Sequence, residues 1–281
     1  MVNLFVPYPT LTFAALFLAE ELGFFRKLNP RVQLQLGGID RQIDVLLGGE
    51  PGIVPLMHVG LRAWGRGGRP RIVCSVFNQV VHRVVAKPEV RSLGDLRGRL
   101  VMVNAFQGAS DLETRYVLRK AGLRPEEVRF LEAGPDLEMA QLEALRRGEV
   151  DAIASSAPFW YVAEQEGFVI LGDVGRYYAK WMPSALIVNE GWSASEPQLI
   201  AGLRLSLQEA VNFLEKQPEK ALAILVSLIP ELSEEAGRVL IDRLRGAWDP
   251  KIDTDGLTAY VESYCTEFDL PRPRLESLML P

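Results

Sequence analysis

Short apolar runs alternate with stretches of helical periodicity from the first residues to about residue 189, and nothing else in the chain constrains its fold as much. VNLFV (2–6), VQLQL (32–36), IVPL (53–56) and RIVCSVF (71–77) read as strands. LTFAALFLAEELGFF (11–25), IDRQIDVLL (39–47) and MHVGLRAWG (57–65) read as the helices between them. Strands spaced by helices of this length predict βαβ units and a largely parallel sheet. A second block repeats the grammar. VVHRVVA (80–86) is extended and KPEVRSLGDLRG (87–98) is a loop with a short turn. Strands follow at 100–104, 128–133, 150–155 and 168–172, with helices at 110–123, 137–148 and 158–167 between them. SALIVN (184–189) is extended once more.

After residue 195 only helical patterns remain. Ile200, Leu203, Leu207, Val211 and Leu214 line one face of an amphipathic helix, and Arg204, Gln208, Asn212 and Glu215 line the other. Pro218, Pro230 and Pro250 punctuate further helices near 218–228, 233–245 and 254–267. The expected architecture is α/β with two lobes. Lobe I comprises 1–82 and 186–281, including the C-terminal helices, and lobe II comprises 87–183. Each lobe has a mixed, mostly parallel sheet, and a two-strand hinge near 80–86 and 184–189 joins them; if both runs return to the first block, the middle lobe is an insertion connected by two strands. No simple internal repeat is visible. A pair of lobes on two tethers can hinge, and ligands are expected in the cleft between them.

Charge and cysteine usage exclude several functions. Thirty-one Lys and Arg against 36 Asp and Glu leave a net charge of −5, which gives no global attraction to nucleic acid or anionic lipid. The basic cluster Arg62, Arg66, Arg69 and Arg71 is diluted by glycine and reads as the solvated end of a helix and a turn. The densest apolar stretch, 221–229, is far short of the ~20 residues that cross a bilayer. Cys74 and Cys265 are too distant for a CxxC motif, and Cys74 inside RIVCSVF reads as a buried free thiol rather than half of a long-range disulfide. His58 and His82 are the only histidines, too few for a histidine-built metal centre. Met1 is followed directly by VNLFV, with no basic, apolar and cleavage-site series, so the chain is either cytoplasmic or carries a start methionine in place of a removed export signal.

Specific resemblance enters with LGDLRGRLVMVN (93–104) and QGASDLETRYVLRKAGLRPEEVRFLEA (107–133). These resemble the second-lobe entry of the substrate-binding proteins that serve nitrate, sulfonate, taurine and thiamine-precursor ABC transporters. FLAEELGFFRKLNPRVQLQL is similar to that family's opening, and RRGEVDAIASSAPFWYVAEQEGF to its G-x-VDA segment. The resemblance covers nearly the whole chain. It implies a type II periplasmic-binding-protein-like fold, a small-molecule ligand, an ABC permease as partner, a periplasmic or extracytoplasmic location, a monomer and no cofactor or metal. Two departures fall at the expected cleft. The first-block counterpart of the G-x-VDA pattern reads GGEPGIVPL with Pro51, and the opening loop reads PYPTLTF where the family is often Gly/Ser-rich. Ligand identity therefore does not carry over.

Open α/β sheets gather ligands at the carboxyl ends of their strands and the helix starts that follow. That rule selects Thr10 and Phe13, where the threonine is a ligand contact or a helix cap. It selects His58, a hydrogen-bonding group kept neutral in a helix's first turn or a capping histidine. Phe77 and Asn78 end the fourth strand, where the amide orients a ligand or satisfies hinge backbone. Phe106, Gln107, Gly108 and Ser110 form the second-lobe counterpart. Ser110 with Glu113 spells a capping box, and Gly108 would admit close backbone approach. Such a helix start can hold an anion, yet Asp111 and Glu113 already place two negative charges there, which favours a neutral or singly charged ligand. Ser156 and Phe159 follow another strand, the ring being a ligand contact or core. Tyr177, Tyr178 and Trp181 crowd the return segment. An aromatic cleft of Phe13, Phe77, Phe106, Phe159 and Trp181 suits an aromatic or heterocyclic ligand better than nitrate.

No G-x-S-x-G elbow, P-loop, H-E-x-x-H or G-x-G-x-x-G is present. The expected function is capture of a small organic molecule, aromatic, heterocyclic or sulfonate-like, for ABC-transporter uptake. The alternative is a cytosolic enzyme on the same fold, of the thiamine-pyrimidine or menaquinone-precursor type. His58 falls where thiamine-pyrimidine synthases carry a histidine, but their cysteine-rich iron motif is missing.

Overall fold

The computed structural model describes residues 1–134 and 137–280. The first stretch of chain forms β1 (Val2–Val6), α1 (Ala14–Glu21), β2 (Val32–Leu36), α2 (Ile39–Leu46), β3 (Gly52–Leu56), α3 (Met57–Gly65) and β4 (Pro70–Phe77). The middle stretch forms β5 (Arg83–Ala86), β6 (Leu100–Val103), α4 (Ala109–Lys120), β7 (Arg129–Glu132), α5 (Leu137–Arg146), β8 (Ala152–Ser155), α6 (Phe159–Gln165) and β9 (Val169–Gly172). The last contains β10 (Ser184–Asn189) and the helices α7 (Glu190–Ser193), α8 (Pro197–Lys216), α9 (Pro218–Leu228), α10 (Glu234–Arg243), α11 (Thr254–Glu267) and α12 (Leu275–Leu278).

The chain divides into two compact units. One is Met1–Gln79 with Lys180 onward, the other Val80–Ala179. The first holds a five-stranded sheet of order β2-β1-β3-β10-β4, the second a five-stranded sheet of order β7-β6-β8-β5-β9. In each, the first three strands run parallel and one antiparallel strand separates them from the fifth. The same topology is therefore built twice from sequences with no recognisable repeat. The two runs that bracket the second block do not share a sheet. β5 pairs with β8 and β9 inside the second unit, whereas β10 inserts between β3 and β4 in the first.

Strand composition explains strand position. β3 is buried at every residue, as a continuous apolar run at the middle of a sheet covered on both faces requires. The edge strand β2 alternates VQLQL, burying Val32 and leaving its last residues at the surface. β7, the edge of the second sheet, is equally wet. The other edge of the first sheet, β4, is apolar and would be an exposed pairing template, but the C-terminal segment covers it. Leu280 donates its N–H to the Ile72 carbonyl (3.3 Å), Ser75 donates to that of Pro250 (3.0 Å) and the Arg204 guanidinium to that of Val73 (2.8 Å). Arg71 completes the cover: it pairs with Glu190 and donates to the Ser277 carbonyl (2.7 Å). The basic cluster thus does more than solvate a turn.

α8 buries Leu199, Ile200, Leu203, Leu207, Val211 and Leu214, the stripe its spacing predicts. Each such side chain contributes roughly 1.5–3 kcal/mol of hydrophobic stabilisation. Cys74 and Cys265 are buried free thiols, and desolvation pushes the Cys74 thiol up to about 12. No helix among the described residues is long and apolar enough to cross a membrane.

Candidate functional site

In the first unit, the predicted residues sit where β1, β3 and β4 end. Thr10 occupies the N-cap position of a 3-10 turn, Leu11–Phe13, but its side chain makes no capping bond, so the hydroxyl is not held by the helix. Thr10, Phe13 and His58 are buried, His58 in the first turn of α3 directly after β3. Asn78 has its polar groups engaged: its amide donates to the carbonyls of Asp249 (2.8 Å) and Lys251 (3.2 Å), and its oxygen accepts from the Ser75 hydroxyl (2.7 Å). Of the two roles open to that amide, satisfying backbone is the one observed. Phe77 is buried edge-on against Trp248, ring centroids 5.8 Å apart, and the Trp248 indole donates to the Leu11 carbonyl (2.9 Å). Trp181 is buried against Tyr260 of α11 at 5.0 Å. It belongs to the first unit, whereas Tyr177 and Tyr178 pack on Tyr116 of α4 in the second, at 5.9 and 5.3 Å. The expected aromatic cluster of the return segment is thus divided between two units. Of the five rings expected to make an aromatic cleft, Phe106 is the exposed one, at 43%.

The second unit concentrates polar chemistry. The capping box read from Ser110 and Glu113 is absent, because the N-cap of α4 lies two residues earlier, at Gly108. Ser110 Oγ accepts the Asn104 N–H (2.9 Å), tying the end of β6 to the helix start. Glu113, one turn in and 2% exposed, turns inward to His82. Its Oε2 accepts from the His82 backbone N–H (2.9 Å) and from Nδ1 (3.0 Å). Gly108 is also explained differently from expectation. A Cβ there would lie 2.8 Å from the Ala105 carbonyl oxygen, so the glycine admits the turn's own backbone. Gln107, with φ at +57°, donates its N–H to Asp111 Oδ2 (2.9 Å), and Asp111 pairs with Arg115 (2.6 Å).

Beside this pair lies a second buried carboxylate, Glu138 of α5, 2% exposed. It accepts from Asn104 Nδ2 (3.0 Å), the Ser155 hydroxyl (2.7 Å) and the Ser156 N–H (3.1 Å). Gln141, one turn further, accepts the Ala154 N–H (3.1 Å) and donates to Asn104. His82, Asn104, Glu113, Glu138, Gln141 and Ser155 thus form one buried network that joins the ends of β6 and β8 to the starts of α4 and α5. Burial pulls the His82 pKa down. The Glu113 charge, the hydrogen bond to it and the Glu138 charge together outweigh burial and hold it above its ordinary value. The contact of Nε2 with Asn104 Nδ2, at 3.4 Å, is too long to reverse that. Phe159 is fully buried at the start of α6. Ser156 is 1% exposed, and its hydroxyl has no hydrogen-bond partner among the described residues.

The sequence reading selected Ser110 and Ser156 but missed His82, Asn104, Glu138 and Gln141. A signal for two of them was present. Glu138 and Gln141 share a helical face with Leu142 and Leu145, which are buried, and polar residues on an apolar stripe mark a buried network. Among the described residues no His, Cys, Asp and Glu group is arranged to hold a metal ion.

Two five-stranded α/β units of matching topology, the first completed by a strand that follows the second, define the two-lobed periplasmic-binding-protein fold. Within it the chain belongs to the family described as NMT1/THI5 like, which matches residues 10–221. Among solved structures, the alkanesulfonate-binding protein SsuA of Xanthomonas axonopodis pv. citri, bound to MOPS, is similar with a TM-score of 0.80, 15% identity and coverage of 99% of this chain and 98% of that one. A mutant of the desulfurization enzyme DszB, in complex with biphenyl-2-sulfinic acid, is similar with a TM-score of 0.69, 17% identity and coverage of 100% of this chain and 96% of that one. A Brucella abortus protein named only for binding, BAB2_1146, is 27% identical over 165 residues, 56% of this chain and 49% of that protein. The match thus spans about half the length of that curated relative.

Proposed function

We propose that this protein is a solute-binding protein that captures a small organic molecule, aromatic, heterocyclic or sulfonate-like, for uptake by an ABC permease outside the cytoplasmic membrane. The observation that carries this reading is family membership together with a fold matched over 99% of the chain by an alkanesulfonate-binding protein. The residues we assign to ligand contact are Thr10, Phe13 and His58 in the first unit, and Phe106, Gln107 and Ser156 in the second. The protein acts as a monomer and needs no cofactor.

The likeness to DszB supports a second reading, an enzyme on the same fold. One experiment addresses both. The purified chain is screened by thermal shift against a charge-balanced set: MOPS, benzenesulfonate, benzylamine, pyrimidines and aromatic acids. A compound at 100 times its Kd should add ~2.7 kcal/mol of stability. Gln107→Ala should weaken binding of that compound with little effect on the melting of the free protein. If no compound of any charge shifts the transition, the solute-binding reading fails. Chemical conversion of a shifting compound on incubation would favour the enzyme.

A further inference from the structure

Charge at the strand ends narrows the solute class. The loops after β1, β2, β4, β6 and β8 contain neither lysine nor arginine. The segment after β9 holds two exposed cations, Arg176 and Lys180, the latter paired with Asp253 and Asp255, and Arg83 lies over the Trp160 ring at 3.7 Å beside Asp173. A sulfonate or carboxylate would therefore find no guanidinium for a bidentate grip in these loops. It would also find backbone donors already occupied. The Gln107 N–H, at the approach to α4, is taken by Asp111, and the Ser156 N–H, at the end of β8, is taken by Glu138. The protein's own carboxylates fill the positions where an oxyanion would be welcomed.

Buried charge in the second unit is also unbalanced. Asp111 is matched by Arg115, but Glu113 and Glu138 share a single cation, His82, and the direct partners of Glu138 are neutral donors: the Asn104 amide, the Ser155 hydroxyl and the Ser156 N–H. The Ser156 N–H is shared between the two carboxylate oxygens, at 3.3 and 3.1 Å, so only three protons, all from neutral groups, hold this buried carboxylate directly. Next to it, the buried Ser156 hydroxyl has no hydrogen-bond partner among the described residues. The hydroxyl oxygen can accept, and where two buried carboxylates share one imidazolium a positively charged N–H donor would serve that oxygen and offset the surplus negative charge together.

Resting on the solute-binding reading above, we propose that the solute carries a protonated nitrogen, recognised through Glu138 and Ser156, and that oxyanions are excluded by the same charge. Benzylamine, an ammonium at pH 7, and benzenesulfonate share a ring and differ in sign, and calorimetric titration of the intact chain with each tests this. The expected result is at least tenfold tighter binding of benzylammonium. Glu138→Gln should narrow that preference at least tenfold. Ser156→Ala, a smaller change should the first variant fold poorly, should lose affinity for benzylammonium several-fold. Tighter binding of benzenesulfonate, an unchanged preference in Glu138→Gln, or an unchanged affinity in Ser156→Ala would each overturn the proposal. Those results leave solute binding itself standing, whereas binding of neither probe together with a blank thermal-shift set overturns both.

Discussion

His82 is where a single residue's chemistry reaches furthest into the second unit. Its ring is buried, yet two carboxylates keep its pKa above the ordinary 6.5. The folded-state value therefore lies above that of the unfolded chain. The stabilisation is complete below the unfolded value and drains away as pH climbs through the higher folded one. The melting temperature should fall across that window above pH 6.5, and Glu113→Gln should flatten the profile; a parallel profile in the variant would argue against the pair. A histidine in VVHRVVA carries no local hint of this role, because its partner lies 31 positions away in α4. Ser110 shows a different failure. S-x-x-E is a true capping signature elsewhere, but here Glu113 has a stronger long-range partner and the helix begins at Ala109.

Elements were far more legible than sites. β1, β2, α3, β10, α9 and α11 run over the residues that periodicity and proline punctuation select. The expected helix at 11–25 instead forms a 3-10 turn, then α1, then a second 3-10 turn at Phe25–Lys27 after Gly23, whose φ of +75° ends the α-helix. α11 illustrates what a pattern cannot report. Gly256 in its first turn packs against the chain entering β10, and a Cβ would lie 3.0 Å from the Trp181 nitrogen and 3.3 Å from that of Met182. Helix propensity favours alanine there, but backbone is a neighbour that cannot rotate aside. Gly256→Ala should cost about 1–3 kcal/mol, read by urea denaturation, where an exposed helical glycine would gain stability from the same change.

For the molecule as a whole, the two-block organisation and the helical tail were readable, but the sheet that each of the two bracketing runs joins was not. Strand periodicity says that a run is extended, and the choice of sheet depends on partners far away in sequence. β5 and β10 look alike in sequence, and each serves the unit that follows it along the chain. All five strands of the second sheet lie within Val80–Ala179. That fragment should fold alone, with a cooperative transition by circular dichroism, while 1–79 should not; a disordered 80–179 would contradict this. The same routing sets an order of assembly on the ribosome. β10 sits between β3 and β4 in the first sheet, yet it is synthesised only after the whole middle unit has emerged. The earliest-made part of the chain must wait, with β4 lacking its neighbour, for a later-born unit that already has every strand it needs.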